Sequence, residues 1–387
     1  MQQPLAKHAN QQMLTLSETL KEQKLTMSRS ESMSRSDSVS RSDSGFASAG
    51  LAFDKMHGLG NDFVMVLLDD LLAVETFSDA LKSGCNPLPV LAKGLCERNF
   101  GIGADGLIVG FSLKKTPAID VDILKALGAG YAIDTKCDIG WIYINSDGSS
   151  SAMCGNGLRC LGLWALRKEL VASNRILVST KAGVQEILVE DESKITVDMG
   201  KPILRTELIP LNTLEAASFV QGELNSADFE FKATCVSMGN PHVIIFDAPQ
   251  AQDSLIEMKF SDSLKKLSTQ VQQHKLFPEG VNVEWCRAVS RSEVHSLIYE
   301  RGCGATLACA SGAAAIVVAG VLEGRIDRQA KIRLPGGYLS IEWAQSDEHV
   351  HMSGPAATSF NGSIGFDALD SILTMGGQSV SKEICCS

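Results

Sequence analysis

Two apolar stretches, far apart in the chain, each follow a cysteine. The segment LRCLGLWALRKEL (Leu158 to Leu170) comes just after Cys154, in MCGNGLRC. The segment TLACASGAAAIVVAG (Thr306 to Gly320) carries Cys309 ahead of small residues and an apolar run. In the first, Gly155 and Gly157 frame a tight turn and the apolar residues then recur at helical spacing, which places Cys154 at or just before a helix N-terminus. Such a terminus has unpaired backbone N–H groups and a positive local dipole. It binds carboxylates and is expected to lower a thiol's pKa. A lone cysteine in a glycine turn is ordinarily a small, half-buried residue. Two in matching settings point to a site built from two related halves.

The chain of 387 residues is long enough for two domains with their own cores. Beyond the two apolar helices the pattern is mostly strands. FVMVLL, RILVST, GVQEILVED, KITVDMG, HVIIF, VNVEWCRAV, EVHSLIYE, KIRLPGG, YLSIEW and EHVHM are rich in β-branched residues and separated by turn residues. Further helices are expected near Asp253 to Leu267 and Ser78 to Leu95. The composition is α+β with one central apolar helix per half, and a sheet wrapped around such a helix buries it on all sides. The boundary between halves falls near Asp198 to Pro202. Residues 51–198 then form the N-terminal half, to which a C-terminal strand near 356–366 returns, and residues 199–355 form the other half. Lys114 to Asp138 reads as an extended surface loop, and 367–387 as a C-terminal tail.

Residues 1–50 differ from the rest. From Ser28 to Gly45 the chain reads SRSESM-SRSDSV-SRSDSG, with serine at alternate positions and no apolar residues able to offset ordering entropy, so disorder is expected. A solvated tail, a phosphorylated regulatory tail and an organelle transit peptide are the three readings; Glu18, Glu22, Glu31, Asp37 and Asp43 count against the last. A net charge of −10 argues against a general nucleic-acid partner. No apolar run reaches the roughly 18–20 residues of a membrane span. Eleven cysteines, none spaced C-x-x-C, give little support to a structural zinc site. With no secretory signal recognised, reduced thiols in the cytoplasm are expected; a plastid is the alternative if the tail is a transit segment.

Two thiols admit three chemistries. A single nucleophilic cysteine would pair with a histidine such as His242, leaving the second cysteine-led helix unexplained. Redox exchange ordinarily uses thiols close in sequence. Acid–base work uses both: one thiolate removes a proton, the other thiol returns one from the opposite face, and a stereocentre inverts. The weakly acidic α-proton of an amino acid requires stabilisation of charge spreading into its carboxylate, which helix N-termini supply.

KMHGLGNDFV, GIGADGLI, NSDGSSSAMCGNGLRC, SMGNPHV, PEGVNVEW, YERGCGATLACASGAA and LPGGYLSIEW follow one another between Phe53 and Gly362. In these motifs the chain resembles the diaminopimelate epimerases, cofactor-independent amino-acid epimerases of lysine biosynthesis. The resemblance implies two pseudo-symmetric domains, each a β-barrel-like sheet around a central helix, with the active site in the cleft between them. It implies a two-base mechanism with Cys154 and Cys309 as the catalytic pair, without metal or pyridoxal phosphate. Gly155, Asn156, Ala310 and Ser311 match the α-carboxylate cradle. Asn61, Asn145, Asn240 and Asn282 match substrate-binding asparagines, and Arg301 and Glu300 match the grip on the distal carboxylate and ammonium. His242 and Glu300 match positions that tune the cysteine pKa values. A small-molecule substrate and a homodimer are implied, with no nucleic acid and no membrane. Cys160 and Cys303 are expected to be packing cysteines. The chain departs from the family at Gly106, where some members have glutamine, at Ala305, a polar residue in many, at Ala310, usually glycine, and in the longer stretch from Phe111 to Trp141. A racemase or epimerase of proline, hydroxyproline or histidine type on the same fold is the alternative. A non-enzymatic redox or interaction protein is a more distant one.

Overall fold

The computed structural model describes residues 50–114, 121–128, 134, 136–213 and 217–380. The Ser/Arg repeat therefore lies outside the described residues. Strands dominate. In the first half they are β1 (Gly50–Gly58), β2 (Asn61–Leu67), β3 (Gly106–Ser112), β4 (Ile139–Asn145), β5 (Arg175–Thr180), β6 (Gly183–Asp191) and β7 (Lys194–Asp198). The second half carries β8 (Gly222–Asn225), β9 (Glu230–Ser237), β10 (Pro241–Phe246), β11 (Asn282–Ser290), β12 (Glu293–Glu300), the two-residue β13 (Gly304–Ala305), β14 (Gln329–Leu334), β15 (Gly337–Trp343) and β16 (Val350–Gly354). The last strand, β17 (Ala357–Gly365), returns to pair antiparallel with β1.

The pairing repeats. From β1 to β7 successive neighbours are antiparallel, parallel, antiparallel, parallel, antiparallel, antiparallel. The series β9, β10, β11, β12, β14, β15, β16 runs through the same order. A helix, Gly155–Arg167, stands between β4 and β5, and a helix, Ala310–Leu322, between β12 and β14. The fold is thus two pseudo-symmetric α+β units, hydrogen-bonded to each other where β7 pairs with β16.

Each central helix is enclosed by its own sheet. The first packs against β1, β2, β3, β6 and β7, the second against β9, β10, β11, β14, β15 and β16. The second is so completely buried that it shows no amphipathic face: Gly312 to Gly320 are all inside. Ile316, Val317 and Val318 are poor helix formers in isolation, and packing overrides that preference. One core joins both helices to the inner faces of the sheets. Outer layers of short helices cover the other faces, with Leu91 and Leu95 among those in the first half and Leu255 and Val271 in the second.

Four segments differ from the sequence reading. The helix expected near Ser78 to Leu95 is two, Glu75–Lys82 and Leu88–Cys96, because Gly84 takes a left-handed conformation and Pro87 follows. The helix near Asp253 to Leu267 is likewise Gln252–Glu257 and Asp262–Gln272, broken at left-handed Met258. Within the stretch read as a surface loop, Val121–Ala126 is helical, and Ile123 and Leu124, with Leu127 just after it, are buried in the outer core. Beyond Gly365, where a tail was expected, Phe366–Val380 is a helix with Leu369 buried. Among the described residues no helix is long and apolar enough to cross a membrane.

Candidate active site

The two central helices meet at their N-termini. A Cβ built on Gly155 would lie 2.7 Å from Cβ of Ala310, the first residue of the other helix. Cys154 and Cys309 are the N-cap residues, both with extended backbone. Gly157 N–H donates to Cys154 Sγ at 3.4 Å, the capping bond that a serine or aspartate would ordinarily receive. Cys309 Sγ lies 3.5 Å from Ser311 Oγ. Ala310 is helical and unstrained, so its methyl group replaces the more common glycine without backbone cost. Asn156 crosses between the halves, donating from Nδ2 to Ala308 O and to Asn61 Oδ1, each at 3.2 Å.

The thiols do not have the lowered pKa expected of cysteines at helix N-termini. Burial pushes Cys154 up to about 11, outweighing the Gly157 N–H, and the Glu300 carboxylate adds to the rise. Burial also holds Cys309 well above the ordinary thiol value, with Glu300 again adding. A thiolate in a dry site loses its hydration, and one or two N–H donors do not replace it. With both thiols held above the ordinary thiol value, neutral pH favours their protonated forms.

Around this pair the asparagines are held in different ways. Asn61, at the start of β2, donates from Nδ2 to Asp105 Oδ2 at 2.8 Å, which turns its carbonyl towards Cys154. The Cys154 thiol donates to that carbonyl, Sγ to Oδ1 being 3.8 Å. Asn240, before β10, accepts from His242 Nε2 at 3.0 Å. Asn282, opening β11, accepts the Arg301 backbone N–H at 2.8 Å. Asn145, ending β4, is tied to its own turn through Ser149 Oγ at 2.9 Å. Glu300 Oε1 accepts from Thr306 Oγ1 at 2.6 Å, and Arg301 Nη1 donates to the Glu279 carbonyl at 2.7 Å. The structure therefore joins Asn61, Cys154, Asn156 and the start of the second helix directly. Asn240 with His242, Asn282 with Arg301, and Glu300 with Thr306 form separate contacts.

His242 touches neither cysteine through a hydrogen bond. Its Nδ1 lies 2.6 Å from Glu284 Oε1, and both side chains are fully buried. Sequence reading gave Glu284 no role, although a carboxylate between Val283 and Trp285 in the strand VNVEWCRAV signals a buried partner. Asp105, in GIGADGLI, was also passed over, as was Arg159. The Arg159 guanidinium is buried, donates from Nε to the Pro355 carbonyl at 3.0 Å, and is pushed down to about 10 by burial. Cys160 is buried in the core as expected, but Cys303 is exposed in the turn before β13 and is not a packing residue. At Gly106 the Tyr143 ring occupies the side-chain space, 2.5 Å from a built Cβ.

The family model described as diaminopimelate epimerase matches residues 53–204 and 234–358. A chloroplastic diaminopimelate epimerase of Oryza sativa subsp. japonica is 38% identical over 317 residues, 81% of this chain and 80% of that protein. Diaminopimelate epimerases of Methanococcus maripaludis and Acetivibrio thermocellus are 35% and 36% identical, over 81% and 82% of this chain and 99% and 100% of theirs. In fold the chain is similar to a probable proline racemase from Agrobacterium radiobacter, with TM-score 0.53 and 12% identity over 84% of this chain and 95% of that one. A hydroxyproline epimerase from Agrobacterium vitis gives TM-score 0.51 and 12% identity, covering 82% and 92%. With its family motifs, its pseudo-symmetric fold and relatives matched along most of their length, the chain belongs to the diaminopimelate epimerase family of isomerases.

Proposed function

We propose that the chain epimerises LL-diaminopimelate to meso-diaminopimelate in lysine biosynthesis, using Cys154 and Cys309 as paired acid and base. The observation that carries this reading is the meeting of two cysteine-capped helix N-termini, Gly155 against Ala310. A substrate carboxylate held by the backbone N–H groups of Gly155, Asn156, Ala310 and Ser311 has its α-carbon between the two thiols. As the substrate enters, one thiol gives up its proton to solvent, and the substrate ammonium stabilises the thiolate left behind. That thiolate takes the α-proton, and the electron pair delocalises into the carboxylate, whose growing charge the N–H groups stabilise. The opposite thiol delivers its proton to the other face. The configuration inverts, and the thiolate and thiol have exchanged places, so the two titrate as a pair.

The distal centre distinguishes this substrate from a simple amino acid. Arg301 is assigned to the distal carboxylate and Glu300 to the distal ammonium, with Asn61, Asn145, Asn240 and Asn282 contributing polar contacts. Proline and hydroxyproline lack that second centre and give Glu300 and Arg301 no substrate group to bind. A homodimer is part of the same reading. The rice relative named chloroplastic favours a plastid over the cytoplasm first expected, and fluorescent fusions with and without residues 1–50 distinguish the two.

The test is turnover by freshly reduced protein, followed by separation of the stereoisomers. Wild type is expected to interconvert LL- and meso-diaminopimelate, and Cys154→Ala and Cys309→Ala each to lose at least about 10³-fold in kcat. Turnover of proline or hydroxyproline but not diaminopimelate would replace the reading with its rival.

A further inference from the structure

The repeat of the fold makes the two halves each other's control. In the first half Phe63 pairs with Gly106 and Met65 with Ile108. In the second, His242 pairs with Asn282 and Ile244 with Glu284. Phe63 thus corresponds to His242, Ile108 to Glu284, and Asn61 to Asn240. The helix contacts agree: a Cβ on Gly157 would meet Ile108 Cδ1 at 3.0 Å, and one on Gly312 would meet Glu284 Oε1 at 2.9 Å. Where one half packs an apolar pair, the other buries a carboxylate and an imidazole. The fold does not require them.

Nor do they serve stability well. Glu284 Oε2 is buried and has no hydrogen-bond partner among the described residues. Replacing such a buried pair with apolar residues is often neutral or stabilising. What the pair does have is a directed contact at its outer end. His242 Nε2 faces Asn240 Oδ1, which requires a proton on Nε2. Imidazole then keeps that proton only if a second one sits between Nδ1 and Glu284 Oε1. Without the second proton the single N–H can move to Nδ1, Nε2 becomes an acceptor, and the Asn240 amide turns over.

We propose that Glu284 is a positioning residue which, through His242, fixes Asn240 so that its NH2 group, and not its carbonyl, is offered to a substrate carboxylate. The corresponding Asn61 is held in the opposite sense: Asp105 takes its NH2 and leaves its carbonyl facing Cys154. Two equivalent asparagines thereby present an acceptor on one side and a donor on the other. The identity of the ligand rests on the epimerase reading; the orientation does not.

Nitrogen-15 spectra of the histidine side chains in the ligand-free protein test the orientation, and steady-state kinetics test its use. Wild-type His242 is expected to be protonated at Nε2; Glu284→Gln, whose amide can still donate to Nδ1, is expected to keep that protonation, and Glu284→Ile, which offers Nδ1 no partner, to reduce it. Loss of a hydrogen bond made equally to ground and transition states raises KM about tenfold and leaves kcat within about threefold. The double variant His242→Phe/Glu284→Ile copies the other half; it is expected to fold and to show a KM increase at least as large. An unprotonated Nε2 in wild type overturns the proposal. So does a Glu284→Ile enzyme whose kcat falls with its folded fraction while KM is unchanged, the mark of a purely structural role. A wild type that fails to turn over diaminopimelate counts against the epimerase reading, and the nitrogen spectra, which need no substrate, still decide the orientation.

Discussion

At Gly155 the space for a side chain is already taken by the Ala310 methyl group, with Met352 Cε and Met199 Sδ at 3.0 and 3.1 Å from a built Cβ. Gly155→Ala therefore pushes the two helix N-termini apart and costs about 1–3 kcal/mol of overpacking. The methionines flex, but the Ala310 methyl cannot. Ala310→Gly, made in the same chain, is expected to restore stability and activity together; chemical denaturation and turnover of the single and double variants check this. The catalytic candidates were legible because each cysteine stands beside glycines or small residues before an apolar run. Their protonation was not. The helix terminus is a local feature of sequence, whereas the burial that outweighs it comes from the other half of the molecule. Glu284 was missed for a similar reason: its partner His242 is 42 residues away, and only strand pairing brings them together.

At the scale of elements, small residues set how closely helix and sheet approach. A Cβ on Gly162, mid-helix, would lie 2.7 Å from Ile187 Cγ2 on β6. Alanine gains about 1 kcal/mol of helix propensity over glycine, but forcing apart a helix and a strand costs about 1–3 kcal/mol. Gly162→Ala is expected to lower stability, and combining it with Ile187→Ala, which removes Cγ2, to cost less than the sum of the two single changes, as measured by urea denaturation. The two central helices and most inner strands were readable from apolar pattern and β-branched content. Strand β17, ATSFNGSIG, is largely exposed and has no such pattern; its place was expected only from the return of the chain to the first half. The helix inside the Lys114 to Asp138 stretch is shorter than two turns and gains its stability from burying Ile123 and Leu124 rather than from local signals.

For the whole molecule, the two halves are one repeated plan joined along β7 and β16, with β17 crossing back to β1. Arg159 reinforces that crossing, reaching from the first helix to the Pro355 carbonyl between β16 and β17. The proposed chemistry at the meeting of the helices draws on both halves at once, so neither cysteine motif would define the site alone. Both thiols are free in the structure, and the proposed arrangement, with one carbon between them, predicts that they can meet when no substrate separates them. Mild oxidation is expected to inactivate the enzyme reversibly through a Cys154–Cys309 disulfide. Peptide mapping of an oxidised, inactive sample that finds both thiols free contradicts this.

The central claim is that two thiols work on opposite faces of one α-carbon. It is tested most directly by the early time course of LL-diaminopimelate turnover in D₂O. Two bases that exchange with solvent separately predict meso product carrying one α-deuterium while the remaining LL substrate carries none. Deuterium appearing equally in recovered substrate and product, or product that retains the original α-hydrogen, would mean a single base serving both faces and would contradict the account.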